Sequence, residues 1–241
     1  MSNKRILAIS DVHGCYQELV QLLQLNDYNP KEDQLILLGD YIDRGPEPKR
    51  TVAYMKELVE EGAIALRGNH DQMFLDFIRS EDADKEQLYL MNGGMTTLES
   101  YVGKEHFPKG ITRADLFSVK QLIKENDRDH VEFLSNLPYY YETEEHLFIH
   151  AGIDPTLEDW KDTPDYDKIW IRYPFLAFDH PHDFTVVHGH TPTQGIRGEK
   201  DNSVFFGNKK IGIDGACAYG GRLNCLTITG GSYQTSYVEG E

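Results

Sequence analysis

The sequence predicts an α/β fold built from two packed β-sheets with helices around them. Strand-like apolar runs alternate with helix-like segments through residue 80, which is typical of a βαβαβ unit with parallel strands. Helical spacing alone continues over about residues 81–137, and strand-like runs with turn signals fill the remainder. We therefore expect a β-rich second half whose sheet packs on the first, with a helical insertion between the two halves.

The predicted strands are short runs of apolar residues, and the early ones are continuously apolar, as buried parallel strands are. They cover residues 5–10, 34–39, 63–67, 146–150, 184–188, 210–214, 223–229 and 233–238.

The predicted helices have apolar residues at helical spacing and cover residues 16–25, 49–61, 72–78, 114–125 and 129–137. Pro46 and Pro48 precede the second helix and Gly62 follows it, which are start and stop signals. The insertion, at about residues 80–137, has two open interpretations. It caps a functional site, or it is a helical pair that closes the core.

Length and charge limit the classes of function. A chain of 241 residues fits one large domain, residues 1–241, with a sizeable core. Its net charge is −16 and it has no block of basic residues, so we expect neither a nucleic acid nor a membrane as partner. An anionic substrate remains compatible with this charge, because metal ions and a few arginines reverse the potential locally.

Three cysteines without CxxC spacing suggest neither a disulfide framework nor a zinc finger. The apolar stretch before residue 10 is too short for a signal peptide, and no run reaches transmembrane length. We expect a cytoplasmic protein.

Polar side chains that bind metals follow the apolar runs. They occur in SDVHG (10–14), GDYIDRG (39–45), RGNHD (67–71), IHAG (149–152), VVHGHTP (186–192) and, less clearly, IGIDG (211–215). The carboxyl ends of parallel strands share one edge of a sheet, so these side chains should converge. Carboxylates, imidazoles and one amide without a thiolate favour Mn²⁺, Fe or Zn²⁺.

The first two motifs supply candidate metal ligands. Asp11 and His13 are two residues apart, so in an extended chain they point to the same side. Asp40 ends the next run and is placed to bridge two ions. Asp43 and Arg44 follow on a loop, where an Asp–Arg clamp without catalytic function is the alternative.

RGNHD adds a ligand and a proton donor. Asn69 offers an amide oxygen, and the adjacent His70 should point elsewhere, which suits a general acid. Asp43 is a candidate partner for the other nitrogen of His70. Arg67, two residues before Asn69, is predicted to share its face and to bind phosphate.

The second half adds further histidines. His150 follows an apolar run, with a packed core histidine as the alternative, whereas spacing alone does not choose between His188 and His190. Arg172 is a candidate phosphate ligand, or it covers the core.

Taken in order, DxHG, GDxxDRG, RGNH[D/E], HAG and GHT form a signature. It resembles the phosphoprotein phosphatase branch of the calcineurin-like metallophosphoesterases, especially the bacterial and bacteriophage-lambda-type Ser/Thr phosphatases, with symmetrical diadenosine tetraphosphate hydrolases as relatives. The resemblance implies the metallophosphatase fold, in which two mixed β-sheets are flanked by helices.

The resemblance also implies roles for residues that match its motifs. Two divalent metal ions would be bound by Asp11, His13, Asp40, Asn69, His150 and His190, so the family chooses His190 over His188. His70 would be the general acid with Asp43 as its partner, and Arg44, Arg67 and Arg172 would bind phosphate.

The implied activity is metal-dependent hydrolysis of a phosphomonoester, most naturally on a serine/threonine phosphoprotein or a phosphorylated small molecule. A metal-bridging hydroxide would attack phosphorus directly, with the ions about 3.5–4 Å apart. The first alternative is hydrolysis of diadenosine tetraphosphate to two ADP. A catalytically inactive binding protein is disfavoured, because it would be expected to have lost a ligand or the acid.

Overall fold

The computed structural model describes residues 4–107 and 111–240, and it contains two five-stranded sheets. The first sheet has the order β10-β9-β1-β2-β3 and the second β4-β5-β6-β8-β7. The strands are β1 (Arg5–Ile9), β2 (Asp33–Leu37), β3 (Ile64–Ala65), β4 (Tyr140–Glu142), β5 (His146–Ile149), β6 (Thr185–His188), β7 (Phe205–Gly207), β8 (Lys210–Gly212), β9 (Arg222–Thr229) and β10 (Ser232–Glu239).

Both sheets are mixed, as predicted. In the first, β1, β2 and β3 are parallel and the β9–β10 hairpin pairs antiparallel with β1. In the second, β5, β6 and β8 are parallel, while β4 and β7 pair antiparallel at the two edges. Each sheet therefore contributes three parallel strand ends to a site.

The two sheets pack face to face. A single apolar cluster joins Ala8 and Ile36 of the first sheet to Phe148, Val187 and Ile211 of the second. Because successive side chains of a strand alternate between faces, Leu7 and Ile9 point instead into the core beneath the helices. Each fully buried aliphatic or aromatic side chain contributes about 1.5–3 kcal/mol, so alternation in β1 stabilises both layers.

Nine α-helices are present in the described part of the chain. They are α1 (Tyr16–Leu25), α2 (Pro48–Glu60), α3 (Asn69–Arg79), α4 (Ala83–Tyr89), α5 (Met95–Val102), α6 (Arg113–Asn126), α7 (Arg128–Ser135), α8 (Asp165–Trp170) and α9 (Thr193–Arg197). Pro48 begins α2, in agreement with the start signal.

The insertion consists of α4 to α7, and a short π-helical turn, Leu90–Gly94, joins α4 to α5. Its side chains Tyr89, Leu98 and Leu116 are buried in the same apolar cluster as Phe74 of α3. The insertion thus closes the core, and its inner residues also reach the loop after β2, as described below.

The structure corrects several predicted boundaries. The short edge strands β4 and β7 and the helices α8 and α9 were not predicted, because segments of three to six residues show too little periodicity. Helices α4 and α5 lie in the stretch expected to be helical, about residues 81–137, but their bounds were not predicted. Helix α3 begins at Asn69 rather than at residue 72, and β3 has only two residues. Strands β9 and β10, which were expected in the sheet of the second half, belong to the first sheet, where β9 pairs with β1.

Among residues 4–107 and 111–240, no helix is both long and apolar enough to span a membrane. The assignment of residues 1–241 to one domain stays a prediction.

Candidate active site

The polar motifs after the parallel strands meet at one end of the sandwich, where the backbone is strained. Nine non-glycine residues in the described part of the chain have a left-handed backbone, and six of them belong to the predicted site. Such a conformation costs roughly 1–3 kcal/mol and persists only where the surroundings enforce it. The six residues are Asp11, His13, Asp40, Asp43, Arg44 and His190.

Asp40 lies at the centre of the site. Its Oδ2 atom is 3.5 Å from Nε2 of His13 and 3.5 Å from Nε2 of His150. Its Oδ1 atom accepts a hydrogen bond from the backbone N–H of His70 at 2.8 Å. One carboxylate oxygen is therefore shared by two imidazoles, while the other oxygen fixes its orientation.

Two histidines have their tautomers set by the backbone. Nδ1 of His13 donates to the carbonyl of Ile42, and Nδ1 of His150 donates to the carbonyl of Leu38, each at 2.7 Å. Each Nε2, which lies 3.5 Å from Oδ2 of Asp40, therefore carries a lone pair. Metal-binding histidines are usually oriented in this way by a hydrogen bond from the other nitrogen.

Asn69, His150 and His190 present acceptor atoms to one another. Oδ1 of Asn69 is 2.9 Å from Nε2 of His150 and 2.9 Å from Nδ1 of His190. Nε2 of His190 donates to the carbonyl of Trp170 at 3.2 Å, so Nδ1 of His190 also carries a lone pair and is an acceptor. Three acceptors cannot bond one another. A cation between them would satisfy all three, so these residues fit a divalent metal.

Asp11 joins the cluster through the backbone of the loop after β6. Its Oδ2 accepts the N–H of His190 at 3.0 Å and the hydroxyl of Ser10. Burial raises the pKa of Asp11, and the neighbouring carboxylate of Asp214 raises it further. Bound cations would relieve this repulsion between buried carboxylates.

Gly189 allows this contact between the two halves of the chain. A Cβ atom at that position would lie 1.9 Å from Oγ of Ser10 and 2.1 Å from Oδ2 of Asp11. Only glycine therefore lets the loop after β6 approach the loop after β1 so closely.

His70 and Asp43 form a buried pair, with Nδ1 of His70 2.7 Å from Oδ2 of Asp43. Burial raises the pKa of Asp43 to about 7, while hydrogen bonds from Thr97 and Tyr89 oppose the rise. Burial lowers the pKa of His70, and the guanidinium of Arg44 lowers it further. His70 also lies close enough to His13 and Asp40 to be a potential ligand.

Arg44 and Arg172 line a recess of about 130 Å³ together with His13, His190 and Tyr219. The guanidinium of Arg44 contacts Nε2 of His13 and donates to Nε2 of His70 at 2.8 Å. Arg172 donates to the carbonyl of His190 at 3.3 Å. Two of the three predicted phosphate ligands therefore face the candidate metal ligands.

Arg67 does not join them. Its guanidinium donates to Gln72, to the hydroxyl of Tyr139 and to the carbonyl of Ser135, and it stacks on the ring of Tyr139. The prediction assumed that the chain stays extended from residue 67 to 69. The chain instead leaves β3 at Ala65 and enters α3 at Asn69, so the alternation rule fails and these contacts are structural.

His188 is buried and packs edge-on against Phe175 at 5.1 Å. Its Nδ1 lies 3.1 Å from the carbonyl of Gly189, and burial lowers its pKa to about 4. His190, rather than His188, contacts Asn69.

Two acidic residues at the site were not assigned from the sequence. Asp71 is fully buried and accepts the backbone N–H groups of Gly68, Asp40 and Tyr41, which holds the loop after β2. Asp214 lines the recess and is held by the N–H of Ala216 at 2.8 Å. Its position after an apolar run in IGIDG was the available signal.

Comparisons with known proteins agree with this geometry. A serine/threonine-protein phosphatase 1 from Salmonella typhimurium is 36% identical over 91 residues, 38% of this chain and 39% of the relative. A symmetrical bis(5'-nucleosyl)-tetraphosphatase from Edwardsiella ictaluri is 48% identical over 65 residues, 27% of this chain and 23% of the relative. These alignments thus span well under half of each curated relative.

A crystal structure of a putative diadenosine tetraphosphatase superposes with a TM-score of 0.69 and 21% identity, covering 99% of this chain and 95% of the other. That likeness concerns the fold alone. The family model of the calcineurin-like phosphoesterases matches residues 4–218, which include all six candidate metal ligands. By this match, the chain belongs to the calcineurin-like phosphoesterase family.

Proposed function

We propose that this protein is a dinuclear-metal phosphoesterase that hydrolyses phosphomonoesters. The observation that carries the proposal is the convergence of Asn69, His150 and His190 as three acceptors beside the shared oxygen of Asp40. We propose that Asp11, His13 and Asp40 hold one ion and that Asn69, His150 and His190 hold the other, with Asp40 bridging.

Divalent cations held by these residues would supply Lewis acidity, which favours water as the nucleophile and offsets the negative charge of the phosphoryl oxygens. The protein's side chains then act on the substrate. Arg44 and Arg172 bind the phosphoryl oxygens and stabilise the charge that builds up on them. A phosphoryl dianion would draw Arg44 away from Nε2 of His70, so this nitrogen becomes free to carry a proton to the leaving oxygen. Asp43 holds the opposite nitrogen.

A serine/threonine phosphoprotein is the proposed substrate class. With Arg67 engaged elsewhere, two arginines line the recess, a charge that matches one phosphoryl group better than a chain of four. The neighbouring segment, residues 79–116, carries seven acidic and five basic side chains, so it adds no basic cradle.

Symmetrical hydrolysis of dinucleoside tetraphosphates is the second candidate, because that activity names several of the similar relatives. It would require sites for two nucleosides. An exposed Tyr219 beside Arg44 offers one aromatic surface on which a base could stack.

The deciding experiment compares three substrates with the purified protein and added Mn²⁺: phosphoserine peptides, p-nitrophenyl phosphate and diadenosine tetraphosphate. We expect the highest kcat/KM on the peptides. A higher value on diadenosine tetraphosphate, with two ADP as products, would replace the first proposal by the second. No hydrolysis of any of them would contradict both.

We also propose manganese as the physiological metal, with iron and zinc as alternatives, and a cytoplasmic location. Nitrogen and oxygen ligands support the first proposal. The three cysteines, which are buried and free in the structure, support the second.

A further inference from the structure

The helical insertion carries the sequence MNGGMTTLESY at residues 91–101, and it contacts the loop that holds Asp43 and Arg44. The carbonyl of Gly93 accepts the backbone N–H of Arg44 at 3.2 Å. Two more contacts, made by Thr97 and Tyr89, reach the carboxylate of Asp43 itself. The insertion therefore packs against Asp43, the partner of the proposed proton donor His70.

Thr97 fixes both the backbone and the side chain of Asp43. Its hydroxyl donates to Oδ1 of Asp43 at 2.6 Å and accepts the N–H of Asp43 at 2.9 Å. Thr97 and Asp43 are both fully buried, so water does not compete for these bonds. Asp43 has a φ of 69°, and the double contact helps to offset the cost of this left-handed backbone.

Tyr89 adds a second donor to the same oxygen. Its hydroxyl lies 2.9 Å from Oδ1 of Asp43, and its side chain is fully buried. The adjacent π-helical turn places Gly94 against the ring, where a Cβ atom would lie 2.5 Å from a ring carbon. The glycine in the NGG sequence thus lets the ring of Tyr89 take its position.

The two carboxylate oxygens of Asp43 have different hydrogen-bond partners. Oδ1 of Asp43 receives two hydroxyl donors, which leaves Oδ2 for Nδ1 of His70 at 2.7 Å. We propose that Thr97 and Tyr89 are positioning residues, which orient the Asp43 carboxylate so that it holds the His70 ring in place for proton transfer to the leaving group. This inference rests on the proposed function, because it takes His70 to be the general acid.

The test uses Thr97→Val and Tyr89→Phe, which remove one hydroxyl each, in the full-length protein with Mn²⁺. Proton donation matters most for a basic leaving group, so phosphoserine peptides are compared with p-nitrophenyl phosphate. For Thr97→Val we expect kcat on the peptides to fall about 10–100-fold, as for other residues that orient a functional side chain. On p-nitrophenyl phosphate the loss should be several times smaller. KM should change little, and Thr97→Ser should restore kcat. For Tyr89→Phe we expect the same pattern with a smaller loss.

Matched controls separate positioning from packing. Thr51→Val removes an equally buried hydroxyl that bonds only the carbonyl of Glu47, and Tyr101→Phe removes a buried hydroxyl that bonds His130. Both control variants should leave the ratio of kcat on phosphoserine peptides to kcat on p-nitrophenyl phosphate unchanged. Circular dichroism shows whether Thr97→Val folds. If it does not, the substrate ratio of Tyr89→Phe alone tests the positioning role.

His70→Asn serves as the reference. His70→Asn could lower kcat more on the peptides than on p-nitrophenyl phosphate while the Thr97 and Tyr89 variants lower both equally. The positioning role would then be wrong, and the assignment of His70 as the general acid would stand. If His70→Asn lowers kcat equally on both substrates, then the assignment of His70 as the general acid is wrong, and the positioning role that depends on it is wrong as well.

Discussion

His146 begins strand β5 and His150 directly follows its last residue, and the comparison of the two histidines shows what distinguishes the candidate site from the rest of the molecule. His146 and His150 are 4% and 0% exposed. Nε2 of His146 lies 2.7 Å from the hydroxyl of Tyr233, which donates or accepts as needed. Nε2 of His150 instead faces Oδ1 of Asn69 and Oδ2 of Asp40, two acceptors.

The cavities at the two ends also differ. The one beside His146 is the larger, about 380 Å³, against about 130 Å³ for the recess at the candidate site. Its lining includes Lys4, Gln34 and Gly230, and none of its lining residues other than glycine has a left-handed backbone. Cavity volume and burial therefore do not identify the site here. The site is identified instead by acceptor atoms that face one another and by residues held in the left-handed backbone conformation.

The largest expected effect comes from Asp40→Asn. An amide keeps the size but removes the charge that would bridge two cations. We expect metal affinity and kcat/KM each to fall by at least about 100-fold, the upper end of the loss when a residue that orients a metal ligand is removed. Elemental analysis after gel filtration measures the metal, and hydrolysis of p-nitrophenyl phosphate measures turnover. Two retained ions per chain with normal activity would overturn the central position of Asp40.

His70→Asn should have the next largest effect. We expect a loss of roughly 10²–10⁴-fold in kcat on phosphoserine peptides, because the departing alkoxide would lack a proton donor. The loss on p-nitrophenyl phosphate should be smaller and the metal content unchanged. A variant that loses its metals would show instead that His70 is a ligand, as its distance to His13 and Asp40 also permits.

Much of this site follows from the sequence, because its signals are local. Hydrophobic runs that end in Asp, His or Asn predicted five of the six candidate ligands, whereas His190 was preferred to His188 only through the family resemblance. The adjacency of Asn69 and His70 predicted that they point to different groups. Their metal-binding roles stay predictions, but the structure does bring Asn69, His150 and His190 together.

What the sequence did not predict depends on long-range contacts or on exact element boundaries. Thr97 is 54 residues from Asp43, and no local pattern links the two. Arg67 was misplaced because β3 ends two residues before it. The partition of strands between two sheets likewise depends on which runs pair, and apolar patterning does not specify pairing partners.

A third prediction tests the close approach of the two halves of the chain. Gly189→Ala places a methyl group against Ser10 and Asp11, so we expect about 10–100-fold weaker metal binding, as when a residue that orients ligands is lost. Gly195→Ala is the matched control, because a Cβ atom there has no neighbour within 4 Å. Titration calorimetry with Mn²⁺ compares them. Equal affinities would show that the loop after β6 adjusts without cost.

The smallest effect is expected at the opposite end of β5, from Tyr233→Phe. The change removes the hydroxyl that bonds Nε2 of His146, and one such hydrogen bond contributes about 0.5–1.5 kcal/mol to stability. We expect the free energy of unfolding in urea to fall by about that amount, with kcat and metal content unchanged. At the candidate site, Tyr89→Phe also removes a single tyrosine hydroxyl, but there the expected loss is in turnover on phosphoserine peptides. A large drop in kcat for Tyr233→Phe would mean that the end with the larger cavity takes part in the reaction, and the contrast between the two histidines would then fail.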